Sequence, residues 1–572
     1  MSARIIRRRE RAEVSGFADH LHPLLKRLYA ARSVRNDQEL QLTLDQLIPV
    51  SQLGGIDSAV QLLRRHFERG SRIIVVGDFD ADGATSTALV VRQLRRLGFA
   101  DVGFIVPNRF QYGYGLTPEI VRLAAEQQPA LIVTVDNGVA SHAGVDQANA
   151  LGIETLITDH HLPAATLPAA AALVNPNGPG ETFPSKALAG VGVAFYLMAA
   201  LTREMRSAGL RPQVASPTEL LDLVALGTVA DLVPLDRNNR ILVHQGLRRI
   251  RAGRSLPGIR ALLEAANRTP SQVIAADLGF QLGPRLNAAG RLDDMTVGIQ
   301  CLLTDDLEEA RVLAGRLTQL NLDRRELESQ MQQDALAALD DMNDTAGLPL
   351  GVCLFDESWH QGVVGLVASR MKDRVHRPVI ALARGDAAAL KGSARSVPGV
   401  HIRDVLDAIA SRHPGLIEKF GGHAMAAGLT LPAARLEDFR AAFAAEVARW
   451  MTQEDATGVV HSDGELQPDE LTLEVAHLLR ESGPWGQAFP EPLFDGCFEV
   501  HSVRVLGERH LKMSLRPAGG PLCDAIAFRH FDHHDAAQVA PNASVELAYR
   551  LDVNRYNGAE RLQLVVEYLR VR

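Results

Sequence analysis

Apolar positions run unbroken through 73–76 of RIIVVGDFDADG (72–83) and stop at Gly77 and Asp78. Such a run, closed by glycine and acid, predicts a strand buried on both faces of a parallel sheet. ATSTALVVRQLRRLG (84–98) spaces its apolar residues for a helix and ends in glycine. DVGFIVPNR (101–109) predicts a second strand and TPEIVRLAAEQQ (117–128) a helix entered through Thr-Pro. ALIVTVDNGV (130–139) and ETLITDHH (154–161) are two further strands. Strands alternating with helices predict an α/β fold with a doubly wound parallel sheet.

Helical spacing dominates 218–250, with ALGTVADLVPL (225–235) read as an irregular insert. Residues 304–342 form one long charged helical stretch, best read as a solvated connector. The α/β pattern reopens at GVCLFDESWHQGVVGLVASRM (351–371), so a smaller α/β domain starts near 348. From about 462 the chain alternates apolar and polar residues in FEVHSVRVL, HLKMSL, CDAIAF, SVELAYRLDV and RLQLVVEYL. Those five runs and an Asn557-Gly558 turn predict a small antiparallel β-barrel. Residues 1–50 read as a helical, peripheral extension. The expected division is 1–50, 51–303, 304–347, 348–461 and 462–572.

Length and charge narrow the class. The 572 residues leave room for three or four domains, at ~150 residues each. A formal net charge of -8 excludes a chain coated in positive charge but allows a local basic groove. The four cysteines, Cys301, Cys353, Cys497 and Cys523, stand far apart and predict reduced cytoplasmic thiols, not a disulfide framework or zinc ribbon. GVGVAFYLMAAL (190–201) is too short to span a bilayer, so no membrane is expected. RIIRRRER (4–11) lacks the apolar core of a targeting signal and is read as a solvated basic tail.

In a doubly wound sheet, ligands sit beyond the carboxyl ends of the strands. The first strand ends in Asp78, Asp80 and Asp82, the third in Asp136, and the fourth in Asp159, His160 and His161. One aspartate after a strand is usually a turn or cap. Three strand ends delivering acids and imidazoles to one sheet edge need a cation to offset their repulsion. Mixed carboxylate and imidazole donors suit Mn²⁺ or Mg²⁺, with zinc conceivable. Several acids around one point favour two divalent ions, an arrangement suited to attack of water on a phosphodiester.

GDFDADGATS, TVDNG, ITDHH and ALGTVADLVPL resemble the four motifs of the DHH phosphoesterase superfamily. GPRLNAAGRLDD, WHQGVVGLVASR, GSARS and FGGHAMAAG resemble the remainder of the RecJ-type single-strand exonucleases, including the DHHA1 domain. The resemblance runs from about 70 to 572 and implies an OB-fold tail. It implies Asp80, Asp82, Asp136, His160 and Asp231 as metal ligands, Asp136 bridging two ions. Asp78 either completes one ion's shell or orients its loop. His161 either holds the scissile phosphate or the attacking water, and Asp159 either supports a ligating histidine or caps a turn.

The resemblance also implies a metal-dependent 5′→3′ exonuclease on single-stranded DNA, releasing 5′-mononucleotides in DNA repair and recombination. A RecQ-type helicase and a single-strand-binding protein are its implied partners, and a monomer its implied state. The rival readings are a DHH phosphodiesterase on short oligoribonucleotides or cyclic dinucleotides, and a non-catalytic strand-binding replisome component.

On the substrate side, PNRFQYGYG (107–115) offers Arg109 and Tyr114, for which the resemblance implies contact near the 5′ end. Arg285, Asn287 and Arg291 lie among small residues that let a phosphate approach, unless they are structural. His360, Ser393, Arg395 and Ser396 make a polar set in the second α/β domain. Gly421, Gly422 and His423 either cradle a phosphate on backbone N–H groups or form a tight turn. In the tail, Lys512, Arg516, Arg529, Arg550 and Arg555 alternate with Phe528, Tyr549 and Tyr556, suiting a single-strand grip unless the aromatics are barrel core.

Overall fold

The structure, a computed structural model, describes residues 4–10, 12–108, 111–385, 388–532, 538–556 and 558–572. Arg109 and Asn557 lie outside the described residues, as does the Tyr556 side chain. The chain packs as two compact units. One comprises Leu322–His461 with the N-terminal residues through Arg7, the other Arg8–Asn321 and Ser462–Arg572.

The larger unit is built on five strands: β1 (Arg72–Val76), β2 (Asp101–Ile105), β3 (Leu131–Val135), β4 (Glu154–Thr158) and β5 (Ala172–Val174). Their order is β2-β1-β3-β4-β5 and every pairing is parallel. Alternation explains the unbroken apolar runs. Ile73, Val75 and Val133 enter the core on one face, while Ile74, Val76 and Ile132 enter the core on the other. The order reverses between β1 and β3, so their carboxyl ends flank the crevice where such sheets place ligands.

Helix α1 (Ala81–Leu97) follows β1 and packs against α2 (Gly190–Ser207) and α3 (Leu221–Ala230). α3 corrects the irregular insert expected over 225–235. The segment 221–228 is buried all round, so it shows no amphipathic period although it is helical. The helix breaks at Asp231 and Leu232, the latter at φ 60. The helical extension expected over 1–50 is also corrected. Among the described residues it holds a strand (Arg4–Arg8), one α-helix (Pro23–Ala30) and short 3₁₀ turns. Only 23–30 keeps helical apolar spacing, and the polar run 35–46 buries no residue fully.

α4 (Arg237–Arg251) runs back along α3, α5 (Gly283–Leu292) follows, and α6 (Leu307–Ala346) is the single long helix expected. The boundary between the units falls inside α6, at Leu322.

The smaller unit carries β6 (Val352–Phe355), β7 (Val379–Arg384), β8 (Ala389–Arg395), β9 (Lys419–Gly422) and β10 (Ala426–Pro432). Their order is β9-β10-β8-β7-β6, with only β6 and β7 parallel.

The tail is a closed barrel of β11 (Phe494–Leu506), β12 (His510–Pro517), β13 (Cys523–Ala527), β14 (Ser544–Tyr556) and β15 (Ala559–Val571). It is not wholly antiparallel, because β13 pairs parallel with β15. It belongs to the larger unit and shares its core. Arg32 and Asp463 form an ion pair at 2.8 Å with side chains 1% and 2% exposed. Tyr29 stacks on Trp485 and Phe489. Among the described residues no helix is long and apolar enough to cross a membrane.

Candidate metal centre

The loop after β1 is wound by its own carboxylates. Asp78 Oδ1 accepts the Phe79 N–H at 2.7 Å, and Asp80 caps α1 by accepting from Gly83 N–H at 2.9 Å. Asn287 Oδ1, on α5, accepts the Ala81 N–H at 2.7 Å. Asp82 lies in the first turn of α1, yet its carboxylate is bound elsewhere. Gly190 N–H donates to Oδ2 at 2.6 Å and Val191 N–H to Oδ1 at 2.9 Å, so the start of α2 holds it.

Asp136 follows β3 with φ 61, a left-handed conformation that aspartate tolerates better than most residues. Its N–H donates to Thr158 O at 3.0 Å, which ties it to the end of β4. Beyond β4, Asp159 Oδ1 accepts from the His160 N–H at 2.7 Å, the His161 N–H at 3.1 Å and the His161 ring Nδ1 at 2.7 Å. Its Oδ2 accepts from Val139 N–H at 2.9 Å. Asn177 donates to His160 O at 2.6 Å and Asn175 to His161 O at 2.9 Å, fixing the backbone of both histidines.

These elements converge. Asp78, Asp80 and Asp136 offer oxygens within 4.8 Å of one another. Asp136, His160 and His161 make a second such set, and Asp82, His160 and Asp231 a third. His160 Nε2 stands 3.1 Å from Asp136 Oδ1 and 3.6 Å from Asp231 Oδ2. Among the described residues no hydrogen-bond donor of good geometry reaches Asp136 Oδ1 or Asp231 Oδ2, although both are buried. Buried carboxylate oxygens without donors are costly unless a cation meets them. An oxygen-rich set with one or two imidazoles fits a hard divalent cation such as Mn²⁺ or Mg²⁺.

Electrostatics point the same way. Burial, then the neighbouring Asp80, pushes the Asp82 carboxyl up to about 7. Burial and the charges of Asp82 and Asp80 hold Asp136 and Asp231 well above the ordinary carboxylate range. Asp159 behaves oppositely. Burial opposes its charge, but the hydrogen bond and charge of His161 and the Val139 N–H outweigh that and lower it. Burial likewise works against a charged His161, but Asp159 outweighs it and raises the imidazole above its usual value. Asp159→Asn should therefore lower the His161 pKa in an NMR titration and reduce the hydrolysis rate about 10- to 100-fold, as loss of a supporting partner does. An unchanged titration would show that Asp159 does not govern that ring.

The substrate-side residues divide. The Tyr114 hydroxyl donates to Asp136 O at 3.2 Å and stands 3.3 Å from His161 Nδ1, so this residue joins the centre. Asn287 supports the loop from behind, and Arg291 sits half-buried in the last turn of α5. Arg285 points into the fold. Its guanidinium donates to Gln281 O at 2.6 Å and Thr318 Oγ1 at 3.3 Å, which serves α5 and not a phosphate.

In the smaller unit, His360 Nδ1 accepts the Gly362 N–H at 3.1 Å. Arg395 Nη1 donates to Ser393 Oγ and Ala394 O, both at 2.8 Å. Ser396 is buried and donates to Val400 O at 2.6 Å, so it closes a turn. Gly422 has φ 146, and a Cβ there would lie 2.4 Å from Ala426 O. Gly421 and His423 are exposed beside it.

In the tail, Lys512 pairs with Asp524, Arg555 with Glu560, and Arg550 with Glu491 and Glu567. Tyr549 is barrel core. Phe528, Arg516 and Arg529 keep the exposed positions a strand could use. Sequence reasoning missed Asn175, Asn177 and Gly190. The only sequence signal for Gly190 was a glycine opening an apolar helix.

Known proteins match this chain throughout. Family models match as the DHH family N-terminal domain over 72–228, the DHHA1 domain over 347–449 and the RecJ OB domain over 462–568. The single-stranded-DNA-specific exonuclease RecJ of Dickeya dadantii is 56% identical over 99% of this chain and 98% of its own length. The protein of that name from Escherichia coli is 54% identical over 98% of each. Among solved structures, Thermus thermophilus RecJ in complex with Mn²⁺ is similar with a TM-score of 0.80 and 34% identity, over 96% of this chain and 76% of that one. Its Mg²⁺ complex is similar with a TM-score of 0.73.

Proposed function

The chain belongs to the RecJ family of single-stranded-DNA-specific exonucleases, and from that premise we propose that it hydrolyses single-stranded DNA from the 5′ end, releasing 5′-mononucleotides with two divalent ions, Mn²⁺ or Mg²⁺. The observation that carries the reading is the pair of buried, donor-free oxygens on Asp136 and Asp231, set about His160. A non-catalytic strand-binding protein has no use for them.

Asp80, Asp82, Asp136, His160 and Asp231 hold the ions, with Asp136 shared between them and Asp78 completing one set or orienting its loop. When bound, the ions supply Lewis-acid neutralisation of the phosphate and ready deprotonation of water. The start of α2 fixes Asp82 from behind through two N–H groups, so that carboxylate is oriented before any ion arrives. His161 Nδ1 faces Asp159. The raised imidazole keeps its proton and meets a non-bridging oxygen of the scissile phosphate. Tyr114 packs edge-on to His161 and restrains that ring. In the smaller unit, Arg395, His360 and the Gly421–His423 turn provide phosphate contacts. We extend the reading to a cytoplasmic monomer working beside a RecQ-type helicase and a single-strand-binding protein in DNA repair and recombination.

Digestion of end-labelled strands tests this. With Mn²⁺ or Mg²⁺, a 5′-labelled single strand should release labelled mononucleotide at once and a 3′-labelled strand should shorten gradually. Duplex and EDTA controls should stay intact. Immediate mononucleotide release from the 3′ end would refute the polarity.

A further inference from the structure

Helix α3 ends in Asp231, but its last turn also walls a cavity of about 310 Å³. Val229 and Leu232 line one side, Phe280 and Trp485 another, and Arg251 and Arg480 the rim. Volume and a mostly apolar lining with a few cationic groups match a site for a flat organic group. Two large apolar side chains stand open there, Leu232 at 66% exposure and Phe280 at 70%. Single exposed apolar residues are ordinary, but two that converge on one cavity beside an ion-binding centre are not.

Phe280 is held outward by an unusual backbone. Leu278–Leu282 is a π-helical turn leading directly into α5. Such turns are rare and recur at functional sites. Gly279 allows the turn to lie close, since a Cβ there would already be 3.1 Å from Val229 Cγ1. Trp485 is fixed by its ring N–H, which donates to Leu479 O at 2.8 Å, and by stacking on Phe489. Arg251 donates to Val273 O at 2.8 Å and Arg480 to Gln272 O at 2.9 Å. Two guanidinium groups are thereby anchored on one short turn. Burial and the charge of Arg480 both work against the Arg251 charge, so an anion at the rim relieves them.

We propose that this cavity receives an unstacked nucleobase of the single strand bound at the adjoining metal centre, with Phe280 as its stacking face and Arg251 and Arg480 beside its phosphates. The inference rests on the exonuclease reading above and adds a positioning role for residues outside the ion-binding set. Continuity decides for a base over an apolar peptide side chain. Leu232 follows Asp231 directly, so a strand at the centre passes the cavity mouth. The cavity also bears on strand choice, because bases within a duplex keep their faces stacked and cannot enter.

The test uses the full chain, its Phe280→Ala variant and its Phe280→Trp variant. Phe280 is exposed, so neither change threatens the fold. The probes are 5′-phosphorylated dT20 strands, each with one abasic site moved stepwise from the 5′ end, bound in EDTA and followed by anisotropy. Wild type should lose about tenfold in affinity at one position or two adjacent ones, as expected when a stacked base is removed. Phe280→Ala should bind the intact strand about tenfold more weakly and show no further loss at those positions. Phe280→Trp should restore the wild-type profile. In Mn²⁺ the alanine variant should raise KM and leave kcat nearly unchanged. If Phe280→Ala binds the intact strand like wild type, or keeps the same abasic profile, the proposal is overturned and a peptide becomes the better occupant. Failure of the exonuclease reading looks different, because wild type would then hydrolyse no strand with either ion.

Discussion

Asp136→Asn should lower kcat on single-stranded DNA by at least about a thousandfold, near 4 kcal/mol of transition-state stabilisation. Asp136 is the residue shared between two of the three donor sets, and its Oδ1 faces His160 Nε2 at 3.1 Å. An amide keeps the shape and removes the charge. The same change should stabilise the metal-free protein at pH 8. In EDTA the folded carboxyls of Asp82, Asp136 and Asp231 are raised, so the fold favours their protonated forms. Their cost begins as pH rises above the ordinary carboxylate value and grows until pH passes the folded value, about 7 for Asp82. The melting temperature of metal-free wild type should therefore fall between pH 5 and pH 8. Asp136→Asn should show a shallower fall, and Mn²⁺ should raise the melting temperature most at the upper end. Thermal melts across that range, with and without EDTA, measure both effects. A variant within about tenfold of the wild-type rate would remove Asp136 from the shared position.

The sequence made the sheet legible because burial on both faces removes ambiguity. Ile73 to Val76 and Leu131 to Val135 could only be interior strands, and the acids after them could only lie at one edge. Asp231 was different. It follows a helix apolar on every side, which carries no period to read, and only motif likeness brought it into the set. Arg285 misled for a related reason. Arginine among small residues suits a phosphate, but it equally suits backbone carbonyls, and Gln281 O took it. The tail aromatics divided on burial alone, Tyr549 into the barrel core and Phe528 outward at 56% exposure. Strand alternation assigns a face, but not which face meets the core. What no pattern disclosed was support from behind: the α2 start on Asp82 and the two asparagines under the histidines join residues far apart in the chain.

That support makes Gly190→Ala the second large effect expected, although Gly190 bears no functional group. A Cβ at Gly190 would lie 2.6 Å from both Cβ and Oδ1 of Asp136 and 2.8 Å from its Cγ. Unbonded carbon does not approach so closely, and Asp136 has little freedom to yield. Its φ is 61 and its N–H is tied to Thr158 O. Helix α2 must move instead, and with it the Gly190 and Val191 N–H groups that hold Asp82. One methyl thus displaces two members of the ion-binding set. Misplacement near 1 Å costs on the order of 100-fold in rate, and forcing a methylene into packed space costs about 1–3 kcal/mol. Gly190→Ala should lose at least about a hundredfold in activity, and Mn²⁺ should no longer raise its melting temperature. Gly315→Ala is the matched control. It lies within α6, where a Cβ meets nothing within 4 Å. It should keep full activity and match or exceed wild-type stability, because alanine favours a helix interior over glycine. A Gly190→Ala protein that kept more than about a tenth of the activity and its full Mn²⁺ shift would mean that α2 does not set the positions of Asp82 and Asp136.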